Sequence, residues 1–124
     1  MFLIRTRIGP SRIHGVGVFA VDPVPAGAGV WRYEPAFDRV VTAEELARLP
    51  PAFRAYLDAY AYPSSDLGGA MVLCCDHAKF LNHSDRPNTE ERRFTSVAAR
   101  PIAEGEEITC DYGSFCVDWR GLAT

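Results

Sequence analysis

The sequence predicts a small, mostly β domain with one short helical insertion, and three observations lead there. Turns rich in glycine and proline cut the chain into short apolar runs. A single stretch after Thr42 repeats its apolar residues at helical intervals. Nowhere do strand and helix signals alternate in the rhythm that builds a parallel sheet. The 124 residues suit one domain on the usual scale of roughly 100–200 residues.

Residues 2–8 alternate loosely between apolar and Arg/Thr side chains and read as the first strand. Gly9-Pro10-Ser11 follows as a turn, and residues 15–21 as an apolar strand that opens on glycine. Residues 22–27 hold Pro23 and Pro25 and form a second turn. Strands at 29–33 and 37–41 flank Glu34-Pro35. Thr42 and Glu45 have the spacing of a capping box, in which each side chain caps the other's backbone. Leu46, Leu49, Phe53, Tyr56, Leu57 and Tyr60 then recur with a helix's period. Pro50-Pro51 splits this region into two helices, Pro51 suiting the first turn of the second. Residues 62–65 and Gly68-Gly69 form the exit loop. Strands at 70–75, 94–99 and 107–111 complete the pattern, the last two joined by a turn at 101–106.

Composition excludes several classes. With 48% apolar and 23% charged residues the chain matches a folded soluble domain rather than a disordered one. Sixteen acidic against thirteen basic side chains give a net charge of −3, which withholds the basic surface of a direct nucleic-acid binder. The run Met1-Phe2-Leu3-Ile4 meets Arg5 and Arg7 at once and is too short for a secretory signal or a membrane span. Cys74, Cys75, Cys110 and Cys116 form no CxxC pair and make a poor disulfide framework. These features predict a soluble protein of a reducing compartment, cytoplasmic or nuclear, with export by another route left open. Cys74-Cys75 with His77 has poor spacing for zinc, so the thiols read as buried structural groups and no metal site is expected.

Three motifs carry chemistry, and each has a plain alternative. Gly15-Val16-Gly17 lacks the third glycine and opening helix of a dinucleotide fingerprint; by itself it marks a strand that another backbone approaches. Asn82-His83-Ser84-Asp85-Arg86-Pro87-Asn88 is dense in residues that cap turns. In the stretch from Glu104 to Gly113 the glutamates suit a solvated turn, and Tyr112 suits a strand-end aromatic.

In this order and combination, from about Arg12 to Gly113, the three motifs resemble the SET-domain protein lysine methyltransferases. The resemblance implies a β-clip fold with a knot-like C-terminal crossing that unites Asn82-His83 with Tyr112. Residues 1–124 would be a single SET domain, with 43–69 as its variable helical insertion and 114–124 as a short C-terminal lid. S-adenosylmethionine is the implied cofactor, held by His14, Gly15, Val16 and Gly17 and by Lys79, Phe80, Asn82 and His83. Tyr112 matches the catalytic tyrosine, and Tyr33 and Cys110 the lysine channel. Phe115 and Trp119 are the candidates to close the channel or stack on adenine. The small Cys110 stands where many relatives carry Phe or Tyr, which implies a roomier pocket and di- or trimethylation. No cysteine cluster supplies the zinc modules that flank many relatives, so the chain resembles the compact viral and bacterial forms, of which the viral type is a homodimer.

The implied activity is methylation of a lysine ε-amine in a protein, on a histone or another basic substrate. Methyl transfer needs the neutral amine, whereas a free lysine has a pKa near ~10.4. An aromatic channel beside a sulfonium disfavours the ammonium by desolvation and like charge. A catalytically weak binding module on the same fold is the rival reading; its mark would be a lost Tyr112 or Asn82, and both are present.

Overall fold

The computed structural model describes residues 1–117. Its strands form three small sheets. The first contains β1 (Thr6–Pro10), β2 (Val16–Ala20), β10 (Glu107–Cys110) and β7 (Asn82–His83), in the spatial order β1-β2-β10-β7. The second orders β3 (Gly29–Arg32), β9 (Thr95–Ala98) and β8 (Thr89–Arg92). The third orders β4 (Arg39–Val41), β6 (Met71–Leu73) and β5 (Tyr62–Pro63). This is the mostly β architecture the sequence predicts.

The main core lies where the first two sheets meet, around Val18, Val30, Ala98, Ile102 and Ile108, all buried. A smaller core sits under the helical insertion. Helix α1 (Ala43–Ala47) opens on the expected capping box: Thr42 accepts from Glu45 N, and the Glu45 side chain reaches back to Thr42 N. Helix α2 (Pro51–Tyr60) starts at Pro51 and drives the fully buried Leu57 between Val41, Ala61, Met71 and Leu73. The other members of the helical repeat differ from expectation. Phe53, Tyr56 and Tyr60 stay largely exposed. Their rings follow one another along the outside of α2, and Tyr60 meets Phe80 edge-on at 5.5 Å.

Other differences have local causes. Gly9-Pro10 is not a turn; β1 runs through Pro10, which pairs with Val16. Because β1 is an edge strand, the missing proline N–H breaks no ladder. The chain reverses instead at 11–15, closed by Ser11 N donating to Gly15 O at 2.9 Å. The exit loop contains β5 and a 3-10 turn, Ser65–Leu67, before Gly68 and Gly69 take positive φ. Strand β8 was not foreseen: its sequence Thr-Glu-Glu-Arg shows no apolar alternation, yet Thr89 turns inward while Glu90 is exposed.

The decisive crossing is made by β10. It pairs antiparallel with β2, Ile108 opposite Val18, and parallel with β7, Cys110 opposite His83. Beyond β10 the chain continues past residues 63–65, where Ser65 N donates to Phe115 O and Val117 N to Pro63 O. Residues far apart in sequence thereby meet at one place.

The two motif glycines serve different needs. A Cβ at Gly17 would stand 2.5 Å from Glu107 Oε2 and 3.0 Å from Ser11 Cβ. Gly15 has φ +47° and open space around it. Gly17→Ala is therefore expected to lose about 1–3 kcal/mol by overpacking, and Gly15→Ala about 1–2 kcal/mol from its left-handed backbone alone. Urea unfolding measures both; a neutral Gly17→Ala would show that the Glu107 carboxylate is not held in place.

Candidate active site

The site is assembled on β10 by two asparagines. Asn82 Nδ2 lies 3.0 Å from Glu107 Oε2, 3.1 Å from both Ser11 Oγ and His14 O, and 3.2 Å from Val16 O. Two amide hydrogens are thus shared among four acceptors on three segments. Ser11 Oγ, donating to Glu107 at 2.8 Å, closes the cluster. Asn88, almost wholly buried, donates from Nδ2 to Glu107 O and Glu106 Oε2, both at 2.8 Å, and accepts from Thr109 N at 2.9 Å.

Tyr112 follows directly. Asp111 caps its 3-10 turn by accepting from Gly113 N at 2.9 Å. Tyr112 N donates to His83 Nδ1 at 3.1 Å, so Nδ1 is the acceptor and the ring proton sits on Nε2, 3.0 Å from Asp85 Oδ1. The Tyr112 hydroxyl donates to Leu81 O. Burial, reinforced by the neighbouring thiols Cys110 and Cys116, pushes the phenol well above its ordinary range. Tyr112 is therefore a neutral phenol that donates its proton to a backbone carbonyl.

Beside Tyr112 lies a cavity of about 140 Å³. Tyr33 and Phe94, both lining it, pack against each other in a tilted pair at 5.7 Å, and Phe115 meets Tyr62 at 5.0 Å and Tyr112 at 6.0 Å, both edge-on. Trp31 adds an indole whose buried Nε1 has no hydrogen-bond partner among the described residues. Phe94 holds φ +61° at the β8–β9 turn, a strained conformation for an aromatic residue. One wall is acidic: Glu91, on the same face of β8 as Thr89, lines the cavity with Asp66. An aromatic cleft lined by a tyrosine and joined through Leu81 and Asn82 to an open glycine loop is the arrangement that comparison with known proteins can test.

The SET domain family profile matches residues 15–113. The chain belongs to the SET-domain family. The histone-lysine N-methyltransferase ATX2 of Arabidopsis thaliana is 30% identical over 136 residues, covering 94% of this chain and 12% of the relative. The human histone-lysine N-methyltransferase SETD1A is 26% identical over 128 residues, covering 87% and 7%. The chain thus spans only about a tenth of the length of the curated relatives it matches. Among solved structures, the Chaetomium thermophilum Polycomb Repressive Complex 2 bound to GSK126 superposes with a TM-score of 0.69 at 20% identity, covering 95% of this chain and 17% of that one. A Plasmodium falciparum crystal structure superposes with a TM-score of 0.60 at 21% identity, covering 94% and 97%.

Within this SET domain, Tyr33, Lys79, Cys110, Tyr112 and Phe115 line one cavity. His14 and Gly15 sit on the exposed β1–β2 loop, Val16 is the exposed first residue of β2, and Gly17 is buried in β2. The two groups meet at Leu81, Asn82 and His83, which touch Tyr112 on one side and the loop carbonyls on the other. Phe80 packs on the main core and Tyr60, while Lys79 Nζ donates to Tyr56 Oη at 3.3 Å. Trp119 and the end of the expected lid lie outside the described residues. The Asn82 amide nitrogen is spent on the fold, so any ligand contact at Asn82 falls to its backbone or Oδ1. Among the described residues no three His, Cys, Asp or Glu side chains gather as a metal site. Cys74 and Cys116 are buried and pushed up to about 12, so they are inert thiols.

Sequence reasoning missed Trp31, Tyr62, Phe94 and Glu91, which no motif marks. Burial, with Asp111 and Asp66 nearby, raises the Glu91 carboxyl to about 7. A folded-state value above the unfolded one means the native state holds an extra proton between about pH 4.5 and 7, so stability falls as pH rises through that window. Glu91→Gln is expected to stabilise the protein by roughly 2–3 kcal/mol at pH 8 and to change little at pH 4. Paired urea titrations at the two pH values check this; equal effects at both would mean an ordinary carboxyl.

Proposed function

We propose that this SET domain methylates the ε-amine of a lysine in a protein substrate, with S-adenosylmethionine as cofactor. The observation that carries the reading is the aromatic cavity lined by the Tyr112 phenol, joined through Leu81 and Asn82 to the exposed residues His14, Gly15 and Val16. The names of the curated relatives support the same activity class, and they favour a histone among basic substrates.

The residues fit such a cofactor. Gly15 has no heavy atom within 4 Å of where a Cβ would stand, leaving the loop open to close backbone approach. Residues 14–16, with the backbone of Asn82 and His83, would hold the cofactor beside Tyr112. When bound it supplies an electrophilic methyl on a positively charged sulfur. The aromatic rings and the acidic wall suit that cation and a lysine's apolar stem alike.

The chain's own contribution is position, desolvation and polarity. A lysine stem filling the cavity between Tyr33, Phe94 and Phe115 would displace water from it, which disfavours the ammonium and lowers the lysine pKa. Walls on several sides align the amine for in-line attack, an effect able to supply several kcal/mol. Tyr112, a neutral phenol donating to Leu81 O, sets its phenol dipole beside the amine and the polarised methyl group. It takes up no proton, because a raised phenol that already donates its hydrogen is no base.

Transfer of labelled methyl groups to histones and to a whole-proteome extract tests this reading. Wild type should label lysine, and Tyr112→Phe should be slower by about 100-fold or more with its fold intact by circular dichroism. Full activity in Tyr112→Phe, or label on residues other than lysine, would contradict it. The fully buried Cys110 is small enough to leave the channel wide. Mass spectra at exhaustive turnover should then show di- or trimethyl-lysine, and a strict monomethyl product would overturn that point.

A further inference from the structure

We infer that Glu91 is the counter-ion for the target lysine and the acceptor of its proton, an inference that rests on the methyltransferase reading above. Glu91 lines the same cavity as Tyr112, Tyr33 and Phe94. It lies opposite Ser96 in the β8–β9 ladder, and Ser96 also lines that cavity. Its strand neighbours Glu90 and Arg92 are exposed and lie near each other, at 3.9 Å.

No cation pairs with Glu91 among the described residues. The titratable groups acting on it are Asp111, at the end of β10, and Asp66, in the turn after β5; both are acids. Cys110, Cys116 and Tyr62 feel its charge in turn, and burial keeps all three protonated. Arg92 reaches the cavity rim, but its guanidinium is on the side of Glu90. Lys79 also lines the cavity but donates to Tyr56 Oη, so beside the Thr89 hydroxyl Glu91 faces rings, thiols and other acids, with no cation as partner among the described residues. The fold keeps it at a cost to its own stability, as functional groups often are kept.

A carboxyl that titrates near 7 is also matched to proton transfer at neutral pH. In the step proposed, an ammonium N–H bond breaks and its electron pair stays on nitrogen, while the proton forms an O–H bond on Glu91. The nitrogen pair then bonds the methyl carbon, and the electrons of the broken carbon–sulfur bond remain on sulfur. The product is a methylated ammonium with a neutral thioether, and Glu91 returns its proton to water. In free solution a lysine holds its proton about a thousandfold more tightly than a group near 7. Desolvation of the ammonium and a nearby sulfonium both narrow that gap.

The test uses the whole chain and n-butylammonium, which reproduces the end of a lysine side chain. Carboxyl carbon-13 NMR follows the Glu91 titration, assigned with Glu91→Gln. The midpoint should lie near 7 in the free protein, move down by about a unit with n-butylammonium, and stay put with n-butanol. An unmoved midpoint, or one in the ordinary range for glutamate, would overturn the proposal. In histone methylation, Glu91→Gln should lose at least tenfold in kcat/KM. The acid limb near pH 7 should vanish in that variant, while Glu91→Asp recovers part of the rate. If Glu91→Gln methylates like wild type with an unchanged pH profile, the role of Glu91 is refuted and the enzyme reading stands. If wild type methylates nothing yet the amine shifts the Glu91 midpoint, amine binding stands and the enzyme reading falls.

Discussion

The Glu107 carboxylate, bound by Ser11 Oγ and Asn82 Nδ2, is the constraint on which the rest of the molecule depends. It joins the turn after β1, the two-residue strand β7 and the final strand β10 at a partly buried point. Strand β10 can lie between β2 and β7 only if this polar cluster is satisfied, because an unpaired buried carboxylate or amide would cost several kcal/mol. Gly17 supplies the space, since any side chain there would strike the same carboxylate. Once β10 is seated, Tyr112 has no freedom: its N–H meets His83 and its hydroxyl meets Leu81 O. Motifs at both ends of the chain thereby become one site.

The features that local stability would not select gather around the cavity. Phe94 sits in left-handed backbone where glycine would be at ease, and its ring lines the cavity packed against Tyr33. Glu91 is a mostly buried acid among acids, and Trp31 Nε1 is buried without a partner among the described residues. Elsewhere the polar groups are well served, as the hydrogen-bonding of buried Asn88 illustrates. Rules of local consistency tend to fail where function is located, and here the failures share one cavity.

Legibility in the sequence followed the strength of local signals. The capping box at Thr42 and Glu45, the division at Pro50-Pro51 and the apolar strands β2, β3 and β9 could be read because periodicity and turn chemistry agree there. Strands β5, β7 and β8 could not, because two to four polar or mixed residues carry no period and form strands only through long-range partners. The aromatic repeat of α2 was legible as a helix but not as an exposed face, since period alone does not say which side is buried. Tyr33, Cys110, Tyr112 and Phe115 were legible through the family resemblance rather than through residue chemistry. Glu91 was hidden because its neighbours Glu90 and Arg92 make it look like part of a solvated charged strand, and only the inward turn of β8 separates it from them.

Amide chemical-shift mapping with nitrogen-15-labelled protein and S-adenosylmethionine tests most directly whether the loop and the cavity form one methyl-transfer site. Residues 14–17 and 82–83 should shift together with Tyr112, saturably, while the outer face of α2 stays unchanged. Saturable shifts confined to other surfaces, or none at millimolar cofactor in the folded protein, would contradict it.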